Sequence, residues 1–189
     1  MDRCFQLLLM ISTTGFSWLL MMVLHECGHV LLGWCSGARL AQVDLPPWGF
    51  SQTEFTANPH PLLVAWGGGM GGCLLPLAIF IVVRTAIPRY AYLATWFAGF
   101  CLIANGAYLA GGSFFGGGGD DAGVILQNGG ARWQLLLFGV PVVAAGLYLW
   151  NGLGPQFGLG ASGGKVDRKA AIGMAVALLI VVWLEITIY

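Results

Sequence analysis

Five long apolar segments constrain the fold of this chain more than any other feature of its sequence. Each is long enough to cross the hydrocarbon core of a bilayer, which takes about 20 helical residues. Only 8% of the residues are charged, whereas soluble domains usually carry about 25%. We therefore predict an all-α polytopic membrane protein in which residues 1–189 form one membrane-embedded domain. The predicted membrane helices span residues 5–34, 62–83, 90–109, 133–150 and 170–188.

The first apolar segment carries the pattern H-E-x-x-H at residues 25–29, near its C-terminal end. On a helix, positions i and i+4 lie one turn apart on the same face, so His25 and His29 can bind one zinc ion. Glu26 is then placed to accept a proton from an activated water molecule. Histidine and glutamate are costly inside a membrane, which favours a functional role for this pattern.

A hydrolytic zinc site needs a third protein ligand and one open position. We expect this ligand from a segment that reaches the same membrane depth, and the pair Asp120 and Asp121 fits best. The glycines at residues 116–119 let the chain bend back toward the first helix. A helical turn is predicted at residues 124–127, with one aspartate as its N-cap and the other as the metal ligand. The other candidate ligands are His60, Asp44, Glu54 and Glu185.

Three polar residues outside the motif are candidates for supporting roles. We expect His60, Asn105 or Asp120 to orient the ligands, and His60 and Asn105 are also candidates for stabilising negative charge on a substrate. Alternative roles are a turn residue for His60 and a helix-packing hydrogen bond for Asn105. The glycine run at residues 67–72 predicts close packing of the second helix against a neighbour.

The stretch between the first two helices predicts a short β-hairpin at the membrane surface. Residues 41–45 alternate between apolar and polar side chains, and residues 51–56 are rich in threonine and phenylalanine. Between them, the sequence P-P-W-G at residues 46–49 is a turn signal.

Lysine and arginine residues predict how the chain is oriented. Cytoplasmic loops are enriched in these residues, and five spans place most of them on one side. We therefore expect a cytoplasmic N-terminus, with the hairpin and the aspartate pair on the outer side. The residues on the predicted inner side are Arg3, Arg84, Arg89, Lys165, Arg168 and Lys169, against Arg39 and Arg132 on the other.

The overall composition argues against a nucleic-acid partner and against a disulfide framework. The net charge is zero at pH 7, so no basic surface is indicated. The five cysteines form no C-x-x-C pair and are predicted to be small, buried apolar residues. These cysteines are Cys4, Cys27, Cys35, Cys73 and Cys101.

These motifs resemble those of the site-2 protease family of intramembrane zinc metalloproteases. The resemblance rests on H-E-C-G-H at residues 25–29 in a first membrane helix, then the hairpin and the glycine-rich second helix. It extends to D-A-G at residues 121–123, which is similar to the family's later Asp-Gly motif. The resemblance implies that His25, His29 and Asp121 bind Zn2+ and that Glu26 is the catalytic base.

We accordingly expect a zinc metalloendopeptidase of the cell (inner) membrane that hydrolyses membrane proteins or peptides at or within the lipid bilayer. Glu26 would accept a proton from water and return it to the leaving amine. The free edge of the hairpin would hold an extended substrate segment by strand addition. The alternative is a non-catalytic zinc-binding membrane protein or a pseudoprotease. A transporter or channel is less consistent with later helices whose polar groups are Asn105 and Glu185.

Overall fold

The computed structural model describes residues 2–115 and 119–188. Five of its helices are long and apolar enough to cross a membrane, and an antiparallel two-stranded hairpin follows the first of them, so the predicted fold class is confirmed. Short 3-10 segments lie in the two loops that precede α3 and α6. The main elements are α1 (Asp2–Cys35), β1 (Arg39–Asp44), β2 (Gln52–Ala57), α2 (Pro61–Ala86), α3 (Ala91–Phe115), α4 (Asp121–Gln127), α5 (Arg132–Trp150) and α6 (Arg168–Ile188).

The largest departure from the predicted boundaries is the end of α3. The sequence predicted that this helix ends at residue 109, before the glycines, but it continues to Phe115. The additional helical residues 110–115 pack against α4, because Gly112 leaves room for the Cβ of Ala122. Within this segment, Ser113 donates a hydrogen bond to the Ala110 carbonyl. Of the glycines predicted to bend the chain back, residues 116–118 lie outside the described residues.

Helix α1 is central in the packing and contacts α2, α3, α6 and the hairpin. Helix α6 runs in the same direction as α1, since Asp2 accepts a hydrogen bond from Arg168 at 3.1 Å and Gly15 lies against Leu178. Near this end of α1, the Gln6 amide donates to two carbonyls of the α5–α6 loop. The N-terminal ends of α1 and α6 therefore lie together, at the end of the bundle that carries most of the basic residues.

The contact between α1 and α2 is made by backbone, as the glycine run predicted. A Cβ at Gly28 would lie under 3.0 Å from the Gly67 carbonyl, and a Cβ at Gly71 would lie under 3.0 Å from the Gly28 Cα. Only glycines therefore permit this separation of the two helices. Close backbone approach is a common way to pack helices where lipid removes the hydrophobic driving force.

The prediction that the cysteines are buried is wrong for three of them. Cys73 and Cys101 are buried in the helix bundle, and all five thiols are free. The other three lie on faces of α1 that no described element covers, and they are Cys4, Cys27 and Cys35.

Replacement of Gly71 by alanine should destabilise the protein by about 1–3 kcal/mol, as overpacking of a tight contact does. The added methyl group meets the backbone of Gly28, which cannot rotate away. Gly173→Ala is the matched control, because no atom lies within 4 Å of a Cβ at that position. The measurement is the unfolding midpoint in detergent micelles, and equal midpoints for the two variants would contradict the packing described.

Candidate metal centre

Three potential metal ligands from two separate elements meet beside α2. Helix α1 places His25 and His29 one turn apart, and the start of α4 brings Asp121 against both. The Nε2 atoms of the two histidines lie 3.2 Å apart, and Asp121 Oδ2 and Oδ1 lie 2.9 Å and 3.2 Å from His25 Nε2 and His29 Nε2. A tetrahedral ion with ligands at about 2.0–2.1 Å holds its ligand atoms about 3.3 Å apart. This buried group could therefore hold a metal ion.

The hydrogen bond of His25 to Asn105 determines which nitrogen of its ring faces the other ligands. The Asn105 amide nitrogen donates to the carbonyls of Gly72 and Cys101, so its Oδ1 is left as an acceptor. His25 Nδ1 lies 2.7 Å from this oxygen and must carry the proton. In the neutral ring, Nε2 then presents its lone pair to Asp121, as a metal-binding histidine does.

His29 is oriented in the same way by a backbone group. Its Nδ1 lies 2.8 Å from the carbonyl oxygen of Val64 in α2, and a carbonyl can only accept. Two neutral imidazoles and a carboxylate thus direct three lone-pair atoms at one another. A cation between them turns this repulsive arrangement into an attractive one, which is the structural evidence that the residues fit a metal.

Asp121 and Asp120 have different roles in the structure. The two carboxylate oxygens of Asp121 face the Nε2 atoms of His25 and His29. Asp120 is the N-cap of α4, and its Oδ1 accepts a hydrogen bond from the Gly123 backbone N–H at 2.7 Å. Asp120 is therefore the helix cap, and Asp121 is the member of the pair that belongs to the group that could hold a metal ion.

Gly68 of α2 provides the space that the histidine rings occupy. A Cβ at this position would lie under 3.0 Å from the Nε2 atoms of both His25 and His29. Gly72, one turn further along α2, likewise leaves room for the Asn105 side chain. The glycine run thus serves the candidate site as well as helix packing.

Glu26 is buried, with 3% of its surface exposed, and the hairpin holds both of its carboxylate oxygens. Ser51 Oγ donates to Oε1 at 2.6 Å and Thr53 Oγ1 donates to Oε2 at 2.5 Å. The hairpin lies along α1 rather than only at its end, because Phe50 near the turn contacts the ring of Trp18.

One cavity of about 190 Å³ connects these groups. Its lining includes Glu26, the three potential ligands, the hairpin hydroxyls and Tyr108. The Tyr108 hydroxyl accepts a hydrogen bond from the Asp121 backbone N–H at 3.2 Å, and its ring packs edge-on against His25. A small molecule or a segment of peptide backbone in this cavity would meet the ligand group and Glu26 together.

The remaining predicted site residues lie elsewhere. His60 is exposed at the start of α2 and does not line the cavity. Asp44 and Glu54 accept hydrogen bonds from Gln42 and Gln52 on the hairpin, and neither belongs to the ligand group. Glu185 is buried in α6, where its carboxylate has no hydrogen-bond partner among the described residues.

Four groups in the site were not predicted from the sequence. Ser51 and Thr53 lie two residues apart at the predicted second strand, so strand alternation could have put them on one face. Tyr108 follows Asn105 by three residues and shares its helix face. The Val64 carbonyl has no sequence signal, because any residue supplies a backbone oxygen.

Comparison with known proteins adds no further constraint. No family model matches the chain, and no curated protein or solved structure matches it either. The functional conclusion therefore depends on the geometry of the site. That geometry combines a three-ligand group for a cation, an adjacent buried carboxylate and a cavity that connects them.

Asp121→Asn should weaken zinc binding by more than the roughly 10–100-fold typical of losing an outer-shell partner, since the variant removes the anionic ligand. Asp120→Asn is the matched control: asparagine caps a helix about as well as aspartate, so zinc affinity should stay near that of the wild type. Both affinities are measured by competition with a chromogenic chelator. A larger loss in the Asp120 variant would contradict the ligand assignment.

Proposed function

We propose that this protein is a membrane-embedded zinc metalloendopeptidase that resembles the site-2 protease family. The observation that carries the proposal is the placement of Glu26 in one cavity with His25, His29 and Asp121. Two imidazoles and one carboxylate are a ligand set that catalytic zinc sites use, with water or substrate in the fourth position. A carboxylate beside such a centre is the usual general base.

The residues of the chain have defined tasks in this proposal. Zinc held by His25, His29 and Asp121 would supply Lewis-acid chemistry, activating a water molecule and polarising the scissile carbonyl. Glu26 accepts the proton of the attacking water and later delivers it to the nitrogen of the leaving amine. Asn105 and the Val64 carbonyl hold the histidine rings so that Nε2 faces the centre.

The number of ligands favours catalysis over a structural metal. Structural zinc sites are closed by four protein ligands, whereas catalytic sites keep one position open. Among residues 2–115 and 119–188, the group contains three ligands and no fourth histidine, cysteine, aspartate or glutamate joins it. An open position facing a cavity supports hydrolysis, and a non-catalytic zinc protein or pseudoprotease is the competing proposal.

The substrate in this proposal is an extended segment of a membrane protein or peptide. Five apolar helices are consistent with a multi-pass membrane protein, and we place it in the cell membrane with its N-terminus on the cytoplasmic side. Strand β2 pairs with β1 alone in the described hairpin, which leaves an edge where an unwound segment would bind by strand addition. Such a segment would pass beside Glu26.

Glu26→Gln tests the proposal directly. Zinc content should equal that of the wild type, because Glu26 is not in the ligand group, while hydrolysis should fall by about 10²–10⁴-fold, as expected for loss of a general base. The measurement combines metal analysis of the purified protein with mass spectrometry of products from a library of single-span peptides reconstituted in liposomes.

The matched control is Glu54→Gln, which changes an exposed glutamate of the hairpin that is outside the site. This variant should keep both zinc and activity. Equal hydrolysis by the Glu26 and wild-type proteins would show that the assignment of the base is wrong. A zinc-loaded wild type that cleaves no member of the library would favour the non-catalytic alternative.

A further inference from the structure

We propose that Ser51 and Thr53 are positioning residues, whose hydroxyls hold the carboxylate of Glu26 toward the metal centre. This inference rests on the proposed function, because it assigns the hairpin a part in the reaction of the same site. It adds to the proposed strand-addition role of the hairpin a contribution to the chemical step itself.

The two hydrogen bonds account for both oxygens of the carboxylate. Ser51 donates to one oxygen at 2.6 Å and Thr53 donates to the other at 2.5 Å. Hydroxyl donors to an ionised carboxylate form short, strong hydrogen bonds. Because each carboxylate oxygen has about two acceptor positions, each still has one with which to accept the proton of a water molecule.

The hairpin is built so that both hydroxyls face α1. Successive side chains of a strand point to opposite faces. Ser51, directly before β2, and Thr53 and Phe55 in β2 are half-buried and alternate with the exposed Gln52 and Glu54. The exposed pair is joined by its own hydrogen bond at 3.4 Å. A shift of one residue in register would turn both hydroxyls away from Glu26.

A second contact fixes the position of the strand along the helix. Phe55 packs where Gly33 has no side chain, and a Cβ at Gly33 would lie under 3.0 Å from the Phe55 ring. Gly33 follows Glu26 by seven residues, which is about two helical turns and therefore the same face of α1. Anchoring at Gly33 places the hydroxyls of Ser51 and Thr53 level with Glu26.

This anchoring restricts rotation of the Glu26 side chain, and such rotation would slow the proposed reaction. A glutamate side chain has three rotatable bonds, and a general base must lie within about 2.6–3.2 Å of its proton donor. A displacement of about 1 Å at a reacting group can cost on the order of 100-fold in rate. The two hydroxyl donors hold the carboxylate in place, and Glu26 lines the same cavity as the ligand group.

The test compares removal of the hydroxyls with their conservation. The double variant Ser51→Ala/Thr53→Val should lose about 10–100-fold in kcat, with KM within about 2-fold and zinc content equal to those of the wild type. The variant Ser51→Thr/Thr53→Ser keeps both hydroxyls and should keep most of the activity. Each single variant is measured as well, so a double variant that fails to fold still leaves two informative proteins.

A second readout does not depend on activity. The chain has three glutamates, Glu26, Glu54 and Glu185, so carbon-13 labelling at the carboxyl carbon gives three NMR signals, and Glu26→Gln assigns the relevant one. Loss of the hydroxyls should move that signal and leave the other two in place. The hydroxyl-conserving variant should return it close to its wild-type position.

The proposal is supported when kcat falls and the Glu26 signal moves together, and it is overturned when either stays as in the wild type. A zinc-loaded wild-type protein that cleaves no member of the peptide library would count against the proposed function and favour its non-catalytic alternative. In that case the NMR signal alone decides the contact: movement on loss of the hydroxyls supports it, and an unchanged signal overturns it.

Discussion

The close approach of α2 to α1 is the contact on which the rest of the site depends. Gly67 and Gly71 bring the backbone of α2 against Gly28, and this separation puts the Val64 carbonyl within hydrogen-bond distance of His29. With the two helices this close, a side chain at Gly68 would occupy the space of the histidine rings. The glycines of α2 therefore allow the two helices to pack closely, let the Val64 carbonyl orient His29 and leave space for both imidazole rings.

The remaining parts of the site are added to this helix pair by three separate elements. Helix α3 contributes Asn105, which fixes the ring of His25, and α4 contributes Asp121 while Asp120 caps the same helix. The hairpin contributes the hydroxyls that hold Glu26. Every polar group of the centre thus has a partner from another element, which is the condition for keeping such groups in an apolar environment.

Periodicity and spacing in the sequence predicted the helices, the hairpin and the histidine pair. Five apolar segments gave five helices, the alternation after the first gave a hairpin, and the i, i+4 spacing placed His25 and His29 on one face. The roles of Asp120 and Asp121 stayed undecided because both precede the helical turn, and only the capping bond to Gly123 separates them. The end of α3 was misplaced because glycines predict a loop, whereas packing against Ala122 keeps Gly112 helical. Long-range partners such as Ser51 and Val64 depend on tertiary packing, which no local pattern encodes.

Zinc-edge X-ray absorption of the purified wild-type protein tests the central claim most directly. With His25, His29 and Asp121 as ligands, the spectrum should show nitrogen and oxygen neighbours at about 2.0–2.1 Å, with outer-shell scattering from two imidazole rings. Cys27 lies between the two histidines in sequence but is exposed and outside the ligand group. A sulfur neighbour at about 2.3 Å, or protein that takes up no zinc, would contradict the account.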